Sequence, residues 1–269
     1  LKKKISRKAN REEKEVIMDI KDLVVRMPGE EVKGLDLNIK KGEIIGIGGL
    51  AGHGKVGIAN GIMGLYPSKG EVKIKGKKLI LNSPKKSMNH QLAFVSEDRR
   101  GVGLLMDESI EMNIVINSIH NQERFLHSFG PFNLQNSKKI RKHALKMIED
   151  LDIRCTGPKQ IVRHLSGGNQ QKVCVARALT MNPKILFVSE PTRGIDVGAK
   201  RLVLDTLVEL NKEFDMTIVM TSSELGELRS ICDRIAIVTE GKIAGILRPE
   251  AADADYGLLM SGEKRGKGA

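Results

Sequence analysis

Residues 49–55 spell Gly-Leu-Ala-Gly-His-Gly-Lys, the pattern G-x-x-x-x-G-K. That spacing suits a phosphate chain. Glycines let successive backbone N–H groups turn toward anionic oxygens, and a helix starting directly behind them adds the favourable end of its dipole. The lysine then reaches the outer phosphates. The context agrees, because the apolar EIIGIGG in front reads as a buried strand and KVGIANGIM behind is helical in character. A Gly-rich strand-to-helix turn without a ligand has the same local pattern. The candidate phosphate contacts are Gly49, Leu50, Ala51, Gly52, His53, Gly54, Lys55, Val56 and Gly57. One position departs from the pattern: such loops carry Ser or Thr after the lysine, whose hydroxyl binds Mg²⁺, and Val56 has no oxygen.

Two further stretches can do chemistry. LSGGNQQK (165–172) leads into the helical VCVARALT. Ser166, Gly167 and Gly168, with Asn169 and Gln170 behind them, place a hydroxyl and free N–H groups at a helix start, a second small anion cradle. A bare S-G-G serves equally well as a helix-capping loop. ILFVSEPTRGID (185–196) is an apolar strand ending in Glu190. A carboxylate at the carboxyl edge of a parallel sheet lies where ligands bind, and it can orient or deprotonate water. A strand-end glutamate is otherwise simply solvated. Ser189 stands where phosphate-transferring sites hold a metal-binding aspartate.

Positioning these groups requires a parallel sheet. Residues 16–42 contain β-rich segments, VIMDIKDLVV and VKGLDLNI, that suggest antiparallel strands, and GEVKIKGKKLIL suggests a hairpin turning at Gly76. Pro84 reads as the first residue of a helix behind Asn82 and Ser83, and LAFV (92–95) as a buried strand. Residues 105–164 have helical spacing in SIEMNIVINSI and SKKIRKHALKMIEDLDI, separated by a loop with Gly130 and Pro131. The order beyond is a helix over 167–181, strand ILFV, a helix over 197–214, strand TIVM, a short helix and strand RIAIV. That alternation predicts a parallel sheet covered on both faces. Residues 1–15 are charged and aperiodic, which predicts a linker or arm, and residues 263–269 form a basic tail.

Composition narrows the function classes. Aromatic residues make up 3% of the chain with no Trp, which argues against a base-stacking nucleic-acid surface. The formal net charge of +12 attracts polyanions generally, and much of it lies at the two ends. Cys155, Cys174 and Cys232 match no metal or disulfide spacing and predict reduced packing residues. No apolar run approaches the roughly 18 residues needed to span a bilayer.

With phosphate loop, S-G-G helix start and strand-end glutamate in this order, the sequence resembles the ATP-binding cassette (ABC) ATPases across nearly its whole length. LSGGNQQK is similar to that family's signature motif, Asp196 sits at its D-loop, and the 24 residues from Ser166 to Glu190 match the family's spacing. SEDRRGVGL (96–104) and EPTRGIDVGAK (190–200) resemble the second cassette of bacterial ribose-, galactose- or nucleoside-type import ATPases, in which two cassettes are fused. Ser222, Ser223 and Glu224 match the S-S-E found there instead of a His-bearing switch, and Glu97 occupies the Q-loop position.

The resemblance implies an α/β fold, an ABC-type P-loop core with an antiparallel β subdomain and an inserted helical subdomain. The cassette would run over residues 16–262 and the insertion over about 105–164. It implies ATP as the cofactor, with Mg²⁺ held weakly or through waters, and Glu190, Ser223 and Glu97 as the catalytic set. The implied partners are a second cassette, the missing first half of a chain that here begins at Leu1, a membrane permease and, indirectly, a solute-binding protein, with no nucleic acid. The implied location is peripheral, on the cytoplasmic face of the membrane. Such cassettes pair head to tail, so each lends its signature to the partner's ATP. Val56, Ser189 and Ser223 damage the site this chain owns, whereas residues 166–168 keep the one it lends. A coupling helix of the permease is expected near Glu97 and residues 101–119, where VGLLM and IEMNIVI are apolar. Two other classes fit parts of the pattern: a non-hydrolysing nucleotide-binding scaffold, and a soluble ABC protein of translation or DNA repair.

Overall fold

The computed structural model describes residues 15–129 and 132–262. The expected linker (apart from Glu15), the basic tail, and Gly130 and Pro131 lie outside them. Three sheets organise the described residues. The first is antiparallel, in the order β2 (Val32–Lys40), β1 (Val16–Val25), β4 (Ser68–Ile74), β5 (Lys77–Lys78). The central sheet has six strands, in the order β12 (Lys242–Leu247), β11 (Arg234–Thr239), β3 (Ile44–Gly48), β10 (Thr217–Thr221), β9 (Ile185–Ser189), β6 (Leu92–Val95). Its neighbours pair in parallel except at β12, which is antiparallel to β11. The third is a hairpin of β7 (Leu126–Phe129) and β8 (Phe132–Gln135).

The central strands are apolar at successive positions because both faces are covered. Ile185 and Phe187 of β9 join one core, together with Ile45 and Ile47 of β3 and the antiparallel sheet. Leu186 and Val188, one residue out of phase, join a second core on the opposite face, built largely from helices. Helix α1 (Lys55–Ile62) contributes Ile58, Ala59 and Ile62 to the first core. Helices α3 (Ile110–Gln122), α4 (Ser137–Asp150) and α5 (Gly167–Thr180) contribute to the second. Short polar side chains set where these helices begin. Ser109 accepts from the Met112 N–H, Asn136 from Lys139, and Asp196 from Ala199 at the start of α6 (Val197–Phe214).

The predicted strands and helices are present, with some differences. The helix α2 (Pro84–Asn89) begins at Pro84 as expected. The second arm of the hairpin at Gly76 is only two residues long. The region between α3 and α4 contains the β7–β8 hairpin where a loop was expected, and a turn dipeptide between two strands gives the same local signal. Residues 99–103 form a single π turn, in which Gly103 N–H donates to the Asp98 carbonyl at 2.9 Å. Beyond α7 (Leu225–Ile231) and β11, the chain adds β12 and α8 (Asp253–Ser261), which the spacing did not single out. No helix among the described residues is long and apolar enough to cross a membrane.

Candidate functional site

The parallel strands β3, β6, β9 and β10 bring their carboxyl ends to one edge, and the phosphate loop, Glu97, Glu190 and Ser223 each follow one of them, whereas the signature segment follows a short helical turn at Val162–His164. Residues 49–54 leave β3 and enter α1, with Gly54 as its N-cap at φ 95°. That left-handed conformation is costly for any residue with a Cβ. Lys55 is almost fully buried, and its Nζ donates to the Leu50 carbonyl at 3.3 Å, folding the ammonium back over the loop. The cradle's N–H groups converge on a side chain that sequence reasoning missed. Glu30, on the turn between β1 and β2, accepts from Gly52 at 2.9 Å, Gly54 at 3.0 Å and Val56 at 3.2 Å. The Pro28-Gly29 turn dipeptide before an acidic pair was the available signal.

Glu97, just past β6, reaches α1, its Oε1 accepting from Asn60 Nδ2 at 3.4 Å. Glu190 follows β9 with φ 47°, pinned by its N–H donating to the Thr221 carbonyl at 2.8 Å. Ser223, just past β10, donates through Oγ to Glu190 Oε1 at 2.6 Å. The structure thus joins Glu190 and Ser223 directly and ties Glu97 to the phosphate-loop helix. Behind them lies a second missed carboxylate, Glu227 on α7, which accepts from Thr192 Oγ1 at 2.5 Å and Ser222 Oγ at 2.9 Å.

The oxygen donors for a hard cation are sparse. Val56 supplies none, and Ser189 offers a fully buried hydroxyl without a hydrogen-bond partner. Among the described residues no cluster of three His, Cys, Asp or Glu could hold a metal ion. These residues do not fit a protein-ligated Mg²⁺ of the usual phosphate-transfer kind.

The signature segment is a helix start. Ser166 caps α5, accepting from Asn169 N–H at 3.5 Å and Asn169 Nδ2 at 3.0 Å, and it is exposed to solvent. Gly167 and Gly168 form the first turn. Gln170 turns inward: it is buried, and its Nε2 donates to the carbonyls of Val162 and Leu165 at 3.3 and 3.1 Å. Asp196 caps α6 from an exposed position. Arg99 is a third residue not foreseen. Its Nη1 donates to Gln171 Oε1 and the Arg193 carbonyl, both at 3.4 Å, so it bridges the segment after β6, the signature helix and the loop after β9. Burial is the main cause holding its pKa below the usual arginine value.

The apolar stretch expected to meet a permease divides in two. Val102 and Leu105 are exposed, whereas Ile110, Ile114 and Val115 are buried in the core. A helix of period 3.6 uses most of its apolar positions for its own packing, so IEMNIVI does not provide the exposed surface that was expected of it.

Comparisons with known proteins identify the family and the fold. The ABC transporter family matches residues 32–193. The nucleoside import ATP-binding protein of Lactococcus lactis subsp. cremoris is 35% identical over 262 residues, covering 96% of this chain and 51% of that protein. The xylose import ATP-binding protein of Thermoanaerobacter pseudethanolicus is 38% identical over 249 residues, 90% of this chain and 47% of that protein. This chain therefore spans about half the length of the curated relatives it matches. A dimeric ATP-binding cassette in a post-hydrolysis state, bound to ADP and Pi, superimposes with a TM-score of 0.70 at 25% identity, covering 87% of this chain and all of that one. A nucleotide-free cassette of an ABC transporter gives 0.72 at 20% identity, covering 92% and 96%, which supports the fold alone. An α/β core with phosphate loop, signature helix start and strand-end glutamate, matched by that family over most of its length, places the chain in the ABC transporter family of ATP-binding cassettes.

Proposed function

We propose that this chain is an ATP-binding cassette that powers import of a sugar or nucleoside, working as one half of a paired ATPase. It sits peripherally on the cytoplasmic face of a membrane permease that is fed by a solute-binding protein. Its own phosphate loop binds ATP and hydrolyses it slowly, and its signature face completes the partner cassette's site. The exposed Ser166 start of α5 carries this reading, standing intact opposite an own site that offers Val56 and a buried Ser189 where ligands are needed. Glu190, hydrogen-bonded to Ser223, orients water beside the phosphate end, and no step is assigned to a metal ion. Loss of metal stabilisation, several kcal/mol, lowers hydrolysis at that site by roughly 10²–10⁴. Val102 and Leu105, which follow Glu97 in the sequence, form the exposed apolar point at which the permease docks.

The test compares the two faces by steady-state ATP hydrolysis in the full transporter with its solute-binding protein. Lys55→Ala is expected to lower turnover modestly. Ser166→Arg is expected to nearly abolish it, because a bulky cation fills the space of the partner's γ-phosphate. Equal, severe losses from both would show two productive sites and sink the asymmetric reading.

A further inference from the structure

The N–H groups that make residues 49–56 a phosphate cradle already hold an anion, and it comes from the same chain. Glu30 accepts from Gly52, Gly54 and Val56 at 2.9, 3.0 and 3.2 Å, using both carboxylate oxygens. Three converging backbone donors are what a phosphate group would require of this loop. One carboxylate and one phosphate cannot share them.

The carboxylate is presented by a tight turn. Met27, Pro28, Gly29 and Glu30 close a β-turn in which Glu30 N–H donates to the Met27 carbonyl at 3.0 Å, with Gly29 at φ 75°. Proline second and a left-handed glycine third are what a type II turn needs. The neighbouring chain is tied down as well. Lys33 N–H donates to the Gly241 carbonyl at 2.8 Å, and Gly241 N–H donates to the His53 carbonyl at 2.9 Å, so β2, the β11–β12 turn and the loop itself are linked. The helix behind the loop is shaped to admit the turn. A Cβ on Gly57 would stand 2.1 Å from the Glu30 carbonyl oxygen, and a Cβ on Gly54 would stand 2.3 Å from that of Glu31. The absent side chain at 57 is the room in which the turn lies.

We propose that Glu30 is a built-in competitor of the nucleotide's phosphates, an autoinhibitory plug that must leave the cradle before ATP enters. The proposal rests on reading residues 49–55 as the nucleotide cradle. Nucleotide affinity is then reduced by the fraction of chains with the turn withdrawn. A plug seated in about nine chains of ten weakens apparent affinity roughly tenfold.

The experiment titrates ATP into the intact protein and into Glu30→Ala and Gly57→Ala by calorimetry. In the absence of nucleotide, it also follows hydrogen exchange at the Gly52, Gly54 and Val56 amides. Glu30→Ala removes the anion, and Gly57→Ala expels the turn by a different route from within a helix where alanine is favoured. Both are expected to bind ATP about tenfold more tightly than the parent and to lose protection at the three amides. Unchanged or weaker binding in Glu30→Ala, with the parent binding ATP, overturns the plug alone. Absence of ATP binding in parent and variants alike overturns the assignment of the loop as a nucleotide site, and the plug with it.

Discussion

Glu227 offers the sharpest test of how the strand-end chemistry is held in place. Its carboxylate is 7% exposed and accepts from Thr192 Oγ1 and Ser222 Oγ, themselves 3% and 1% exposed. Thr192 lies two residues beyond Glu190, and Ser222 immediately precedes Ser223. One carboxylate therefore holds both loops whose side chains meet in the Glu190–Ser223 bond. Glu227→Ala leaves two buried hydroxyl protons without their acceptor, although Ser222 Oγ still accepts from the Glu224 N–H at 3.0 Å, and removes two charge-assisted bonds, each contributing about 1.5–3 kcal/mol net. The nearby Lys200, 3.8 Å away, keeps its contact to Glu224 and adds little because that pair is part-exposed. The expected loss is about 3–6 kcal/mol, a large share of the roughly 5–15 kcal/mol that stabilises a domain. Glu227→Gln, which retains one carbonyl oxygen and the side-chain shape, should lose about 1–2 kcal/mol. Urea unfolding of parent and variants, compared at an unchanged m-value, measures both. Stability of Glu227→Ala within about 1 kcal/mol of the parent would refute the idea that this carboxylate organises the two loops.

Two other outcomes are expected. ATP affinity measured with Mg²⁺ and with chelator should differ by less than about tenfold, since Mg²⁺ would be held mainly through water; a strict Mg²⁺ requirement in calorimetry would show that the protein supplies ligands after all. Burial pushes the Cys174 thiol up to about 12, so the unfolded chain releases this proton first. Stability is then fully present below the unfolded pKa near 9 and is lost as pH rises toward 12, at about 1.36 kcal/mol per pH unit. Cys174→Ala should flatten that alkaline slope relative to the parent, and identical slopes in urea titrations from pH 9 to 11 would be the contrary result.

The central sheet was legible because its strands must be apolar on both faces, and runs such as 185–188 have no other economical home. Helix starts were legible where a short polar residue precedes the periodic stretch, as at Ser109, Ser166 and Asp196. The β7–β8 hairpin was not, since four-residue strands carry too little periodicity to separate them from a loop. Nor was the inward turn of Gln170, whose position in an exposed-looking motif says nothing of the carbonyls of Val162 and Leu165 waiting beneath it.

What escaped the sequence at the site has a common physical cause. The glycines, Lys55, Ser166 and Glu190 belong to motifs whose chemistry is local, so spacing reveals them. Glu30, Arg99 and Glu227 each reach a partner 22 to 94 residues away along the chain, from Glu30 to Gly52, Glu227 to Thr192 and Arg99 to Arg193, although Glu227 also holds the nearby Ser222. Their roles exist only once the sheet has brought separate strand ends together. A charged residue in a turn or on a short helix is ordinarily a solvated one, and nothing beside Glu227 marks it as buried. Glu30 differs in one respect: its turn dipeptide and the missing side chain at Gly57 are both visible in the sequence, and each is unremarked alone. Together they make sense only if the turn lies on the helix, with the carboxylate in the cradle. The glycines and Lys55 make this loop fit for a phosphate, and the turn between β1 and β2 supplies a carboxylate of the same chain to the same N–H groups.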